Sequence, residues 1–177
     1  MKRLILLVII LFGPAIMLVA QDQTELEQTG NKLARDMAER MPGWQHRRGN
    51  LIKGSSGVVV EIWTLPNRIV KVSMMKRESV DDAREKLAKF AQEEGGLHEL
   101  KGFGDEAYAW GDDGANIVFR RGKYTIYITT IADVDRDSDS SALSPQERHA
   151  RKASEMKRLS KQVAKEAVDA LDLATKN

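Results

Sequence analysis

The chain has 177 residues, of which 42% are hydrophobic and 31% charged, the balance of a folded domain and not of a disordered chain. Lys2 and Arg3 account for the whole formal net charge of +2, so the remainder is neutral and lacks the global field that gathers nucleic acid. The absence of cysteine excludes disulfides, thiolate metal sites and a lipid anchor carried on cysteine.

The chain opens on the basic pair Lys2-Arg3, an apolar run from Leu4 to Phe12, the helix breaker Gly13-Pro14, and a second apolar stretch. That stretch ends at Ala20, before the polar Gln21-Asp22. This is the layout of a secretory signal peptide over residues 1–20, with Ala20 as the small residue at the cut. The same segment holds about 17 residues, the lower limit for crossing a bilayer core. A retained N-terminal anchor is therefore the alternative, and membrane association is expected only in that case. Export without disulfides fits a bacterial envelope compartment, periplasmic or extracellular.

Thr24-Glu25-Leu26-Glu27 has the form of a capping box, and Leu26, Leu33, Ala34, Met37, Ala38 and Met41 share one helical stripe that Pro42-Gly43 stops. The stretch Trp44 to Lys53 is a candidate for a short strand. From Val58 to Leu65 and from Arg68 to Met75, period-two alternation around Pro66-Asn67 predicts a β-hairpin. In its first strand Val58, Val60, Ile62 and Thr64 alternate with Val59, Glu61, Trp63 and Leu65, with Val60 expected inward and Glu61 on the opposite face. In the second strand Val70, Val72 and Met74 oppose Ile69, Lys71 and Ser73.

Ser79 caps a second helix whose stripe is Val80, Ala83, Leu87, Phe90 and Ala91, ended by Gly95-Gly96. Strands follow at Glu106 to Trp110, Ala115 to Arg121 and Lys123 to Ile131. Ser144-Pro145-Gln146-Glu147 then starts a last helix of about 45 Å. These elements predict an α+β fold, an antiparallel sheet of about five strands with packed helices in the order α-ββ-α-βββ-α. The implied division is a leader at 1–20, a core at 21–132, an acidic Ser-rich linker at 133–144, and a C-terminal helix at 145–177 packed on the same domain.

The motifs that suggest chemistry each lack a requirement. Gly102-x-Gly104-x-x-Ala107 has the letters of a dinucleotide fingerprint but leads into a strand, and Asp105 and Glu106 would repel phosphate. His98-Glu99 lacks the second histidine of a zinc-protease helix, and His46 and His149 have no histidine four residues away. Gly54-Ser55-Ser56-Gly57 is a residue short of a nucleophile elbow. Asp133, Asp135, Asp137 and Asp139 are spaced like calcium-loop ligands, but Ser138 replaces the glycine and Ser144 the closing glutamate, so we read a solvated linker. No cofactor, metal site or catalytic residue is expected. The paired arginines Arg47-Arg48 and Arg120-Arg121, each near an aromatic ring, are the candidate ligand-binding residues.

Gly102-Phe103-Gly104-Asp105-Glu106-Ala107-Tyr108, followed by Ile117 to Ile126 with Arg121-Gly122 inside it, resembles a pattern of small exported bacterial envelope domains of lipoprotein or sensor-like type. The resemblance covers Ser79 to Ile131 and lacks the family's lipobox cysteine. It implies a non-enzymatic envelope domain and assigns no catalytic residue. The expected function is thus an exported, non-catalytic binding or interaction module, its partner an unidentified envelope protein or small ligand. The alternatives are a hydrolase built on carboxylates drawn from Asp105, Glu106, Asp112 and Asp113, or an assembly role for the C-terminal helix.

Overall fold

The computed structural model describes residues 25–49, 57–111, 114–134 and 142–175, with side chains as far as Asp172. Among the described residues three helices and seven strands follow one another along the chain. Helix α1 spans residues 25–40, and β1 (Gln45–Arg48), β2 (Val58–Leu65) and β3 (Arg68–Lys76) follow it. Helix α2 (Val80–Glu94) precedes β4 (His98–Glu99), β5 (Glu106–Trp110), β6 (Asn116–Arg121) and β7 (Tyr124–Ala132), and α3 (Pro145–Thr175) closes the chain. The strands form one antiparallel sheet in the order β1-β2-β3-β7-β6-β5-β4.

The α+β class and antiparallel sheet agree with expectation, but the strand count and order do not. Seven strands in the order α-βββ-α-ββββ-α replace about five in the order α-ββ-α-βββ-α. The two further strands are the edges of the sheet: β1, which lies within the candidate strand Trp44 to Lys53, and β4, which the sequence does not announce; they have four and two residues, all exposed. Two exposed residues bury no stripe, so β4 leaves no alternation to read.

Local chemistry accounts for the boundaries. Pro66 sets the first central φ of the β2–β3 turn, and Asn67 takes φ 62°, the pairing that a type II turn requires. At α2 the Ser79 hydroxyl accepts from the Asp82 amide at 3.0 Å, while Asp82 accepts from the Glu78 amide at 3.3 Å. At α3 the box is reciprocal: Glu147 N–H donates to Ser144 Oγ, and Ser144 N–H donates to Glu147 Oε2 at 2.7 Å. The start of the acidic linker is anchored, since the Asp133 amide donates to the Asn67 carbonyl at 2.7 Å and Val134 is buried; Asp135, Asp137 and Asp139 lie outside the described residues.

Helices α1 and α3 share one face of the sheet. Leu26, Leu33 and Met37 of α1 join Val163, Ala167 and Leu171 of α3 over Val72, Ile126 and Ile128. The two helices are tied by Arg40, 3.2 Å from Glu166 and 3.6 Å from Asp169. Gly30 lets α1 approach closely: a Cβ there would stand 2.7 Å from Cγ1 of Val59. Small residues do the same for α3, where Ser160 hydrogen-bonds both Thr130 and the Ala115 carbonyl. Helix α2 lies on the opposite face against β6 and β7. Phe90 there meets Trp110 and Tyr127 edge-on at 5.3 and 5.5 Å. Val80, expected in the buried stripe of α2, is 45% exposed because it sits in the first turn, before the helix reaches the sheet.

Glu155 of α3 joins the β2–β3 hairpin to the helix through Arg68 Nε at 2.8 Å and also pairs with Arg158 Nε at 2.8 Å. The Arg158 bond, reinforced by Arg68 against the opposing effect of burial, holds its carboxyl at about 2, well under the ordinary 4.5. A depressed carboxylate contributes stability above its unfolded value and loses it as the pH falls through the folded one. Glu155→Gln is therefore expected to lower stability by about 1–2 kcal/mol at neutral pH. The same variant should flatten the decline of stability between pH 4.5 and 2, measured as urea midpoint against pH.

Candidate functional site

The inward face of β2 is not the more apolar one. Val60 and Ile62 point outward and are half-buried, whereas Val59, Glu61 and Trp63 point toward α1 and are 2%, 1% and 0% exposed. This corrects the expectation that Val60 is inward, and the physical reason is the ion-pair system that Glu61 meets. A carboxylate stays ionised under burial only when paired and hydrogen-bonded. Strand β1 supplies the partners, with Arg48 in register with Glu61 and His46 with Trp63. His46 Nε2 and Arg48 Nε each donate to Glu61 at 2.8 Å. Arg48 also reaches Glu27 and Asn31 of α1, both at 2.8 Å. The His46 ring lies 4.9 Å from that of Trp63.

These groups floor an open cleft of about 460 Å³ between α1 and β1, bordered by Ala34, Arg35 and Ala38. The carboxylate and guanidinium on its floor already satisfy one another. Their chemistry is to lock an edge strand beneath a helix.

The Gly-x-Gly-Asp-Glu-Ala-Tyr segment is a second lock. Gly104 has φ 63°, and a methyl there would be driven into the Arg120 carbonyl. The chain can consequently pass close enough for the Asp105 amide to donate to that carbonyl at 2.8 Å. The Asp105 carboxylate accepts from the Gly122 amide and Arg121 Nη1 at 2.8 Å, and from Arg120 Nη1 at 2.9 Å. Burial pushes its pKa up, but the Gly122 amide and the Arg121 and Arg120 guanidinia outweigh that and hold it below the usual range. Arg121 Nε continues to Asp172 at 2.6 Å, which attaches the end of α3. The segment that resembles an exported-domain pattern is thus the clasp of the β6–β7 turn.

The four candidate arginines do not form one site. Arg120 and Arg121 are engaged by Asp105 and Asp172, and Arg48 by Glu61, Glu27 and Asn31. Only Arg47, on the opposite face of β1, has no ion-pair partner among the described residues. Of the acids considered for hydrolysis, Asp105 is clasped and Glu106 accepts from the Tyr108 hydroxyl at 2.9 Å, while Asp112 and Asp113 lie outside the described residues. His98 and His149 are exposed on β4 and α3. Among the described residues no group of three or more histidines and carboxylates is placed to hold a metal ion.

Arg47 is exposed on the outer face of the sheet. Helix α2 covers the outer face of the β5–β7 half, and among the described residues no element covers that of β1–β2–β3. Register places Arg47, Ile62, Lys71 and Thr129 in one row across this face, with Gln45, Thr64, Ile69 and Ile131 in the next. Ile69 and Ile131 are 42% and 54% exposed, and Lys71, like Arg47, has no ion-pair partner among the described residues. An apolar surface flanked by unpaired cations is a candidate docking site. The alternation of β3 already separates Ile69 and Lys71 from the core residues; the adjacency of Ile131 depends on a pairing between strands far apart in sequence.

No known protein family, curated protein or solved structure matches the chain.

Two substitutions test the locks. Arg48→Met leaves the buried Glu61 with His46 alone and is expected to cost about 3 kcal/mol, whereas Arg47→Met should change stability by less than about 0.5 kcal/mol. Equal losses in denaturant unfolding would show the two side chains to be equivalent. Gly104→Ala should cost about 2 kcal/mol or more, because the new methyl meets backbone at a left-handed φ.

Proposed function

We propose that this chain is an exported, non-catalytic interaction module of the bacterial cell envelope that docks a protein partner on the open outer face of β1–β2–β3. The exposed pair Ile69 and Ile131 beside Arg47 and Lys71 carries this reading. Cations without carboxylates to answer them favour a partner whose surface is apolar at its centre and acidic at its rim. A second copy of the same face would set Arg47 and Lys71 against their own kind, so a different protein fits better. The charged leader followed by an apolar run supports export. Among the described residues no helix is long and apolar enough to cross a membrane.

The catalytic alternative has less support. Asp105 and Glu106 serve the sheet through Arg120, Arg121 and Tyr108, and a general acid or base must be free to exchange a proton with substrate. Assembly through α3 is likewise less favoured, because Leu159, Val163, Ala167 and Leu171 are covered by the sheet.

The test is photo-crosslinking in cells from a reactive residue placed at position 69 or 131, with position 84 on α2 as control. A discrete adduct to one envelope protein from both sheet positions, lost on adding Arg47→Glu and Lys71→Glu, is the expected result. Adducts of equal yield from position 84 would overturn the docking face. Recovery of the full chain, with Met1 intact, in the soluble cytoplasmic fraction would overturn the export.

A further inference from the structure

On the other side of the sheet a groove of about 590 Å³ runs between the β4–β5 edge and α3, and nothing in the reading above uses it. Its α3 wall presents Ala153, Ser154, Lys157 and Lys161, spaced so that one helix face holds them all. The opposite wall is His98, paired in register with Ala109. Leu100, Ala109 and Ala153 provide an apolar floor, and the end is closed by Gly111 and Gly114, both at positive φ.

Three features of this groove suit a small organic anion. The first is charge: Lys157 and Lys161 have no ion pair among the described residues, and no described carboxylate lines the groove. Arg158, Glu155, Glu166 and Asp172 of the same helix are paired, and none of their carboxylates lines the groove. The second is room, which the small residues preserve. A Cβ at Gly114 would already contact that of Ala109 at 3.7 Å, and one at Gly111 would stand 2.8 Å from the Asn116 amide. The third is composition, because ligand sites of this size are apolar cavities with a few convergent polar groups. We propose that the groove binds a small amphipathic anion, its phosphate or carboxylate on Lys157, Lys161 and His98 and its apolar part on Leu100, Ala109 and Ala153. Both head groups share the charge and acceptor oxygens that two ammonium groups and an imidazole recognise.

The experiment titrates phenyl phosphate, benzoate, inorganic phosphate and benzyl alcohol into the isotope-labelled full chain and follows backbone amide shifts by NMR. Saturable shifts concentrated at His98, Ala109, Gly111 and Gly114 are expected with phenyl phosphate or benzoate, and which of them is tighter identifies the head group. Inorganic phosphate and benzyl alcohol should each bind at least tenfold more weakly, since each lacks half of the complement. Lys157→Gln with Lys161→Gln, both exposed, should weaken binding at least tenfold and leave the rest of the spectrum unchanged. Ala153→Leu should fill the groove and abolish binding, which locates the site independently of charge. Equal binding by the neutral alcohol, by inorganic phosphate alone or by the double glutamine variant would overturn the proposal. So would shifts confined to the outer face around Ile69. Asp112→Asn with Asp113→Asn, between Gly111 and Gly114 in the sequence, should leave affinity equal or tighter; a loss would mean that these side chains hold the probe, and would refute an anion site.

Discussion

Nine consecutive residue pairs between β3 and β7, from Arg68 with Ala132 to Lys76 with Tyr124, join two antiparallel ribbons into one sheet. Neither ribbon could bury both of its faces alone. Once joined, they present a continuous inner face wide enough for α1 and α3 side by side, and an outer face of which α2 covers half. The order of elements follows from this seam. Each ribbon is preceded by its own helix, and α3 returns across β7, β6 and β3 to cover the seam from the inside. Among the described residues three helices serve two faces, which leaves half of the outer face without a helix over it.

Charge in this fold is mostly used to fasten edges. Glu61 holds edge strand β1 through Arg48 and His46, and Asp105 holds the β6–β7 turn through Arg120, Arg121 and the Gly122 amide. Glu25 fastens the start of α1 to Lys76, Lys123 and the Tyr124 hydroxyl, and the Lys76 and Lys123 bonds draw its carboxyl down to about 2. In each case the end or edge of an element gains directional bonds to a neighbouring strand. A chain without disulfides must stabilise its periphery by such means. Arg47 and Lys71 on one face and Lys157 and Lys161 on the other are among the cations that stand outside these locks, and each pair lies beside apolar surface.

The sequence by itself determined whatever depends on neighbours along the chain. The boxes at Ser79 and Ser144, the turn at Pro66-Asn67, the end of α2 at Gly95-Gly96 and the α+β class are legible because capping and turn formation involve residues within about four positions. The buried stripes of α1 and α3 are legible too, because a period of 3.6 identifies a face whatever it packs against. Tertiary structure alone decided which face of β2 is inward. Alternation separates Val60 from Glu61 but cannot rank the faces, and the more apolar set is the outer one, because Arg48 and His46 arrive from another strand to pair with Glu61. It also decided the edge strand β4, whose two exposed residues leave no pattern, and the extent of β1 within Trp44 to Lys53. The role of Asp105 depends on an arginine pair and an amide fifteen to seventeen residues away. The exposed Ile69–Ile131 surface and the groove lined by Lys157 and Lys161 are likewise assembled from strands and a helix remote in sequence, one where β7 meets β3 and the other between α3 and the β4–β5 edge.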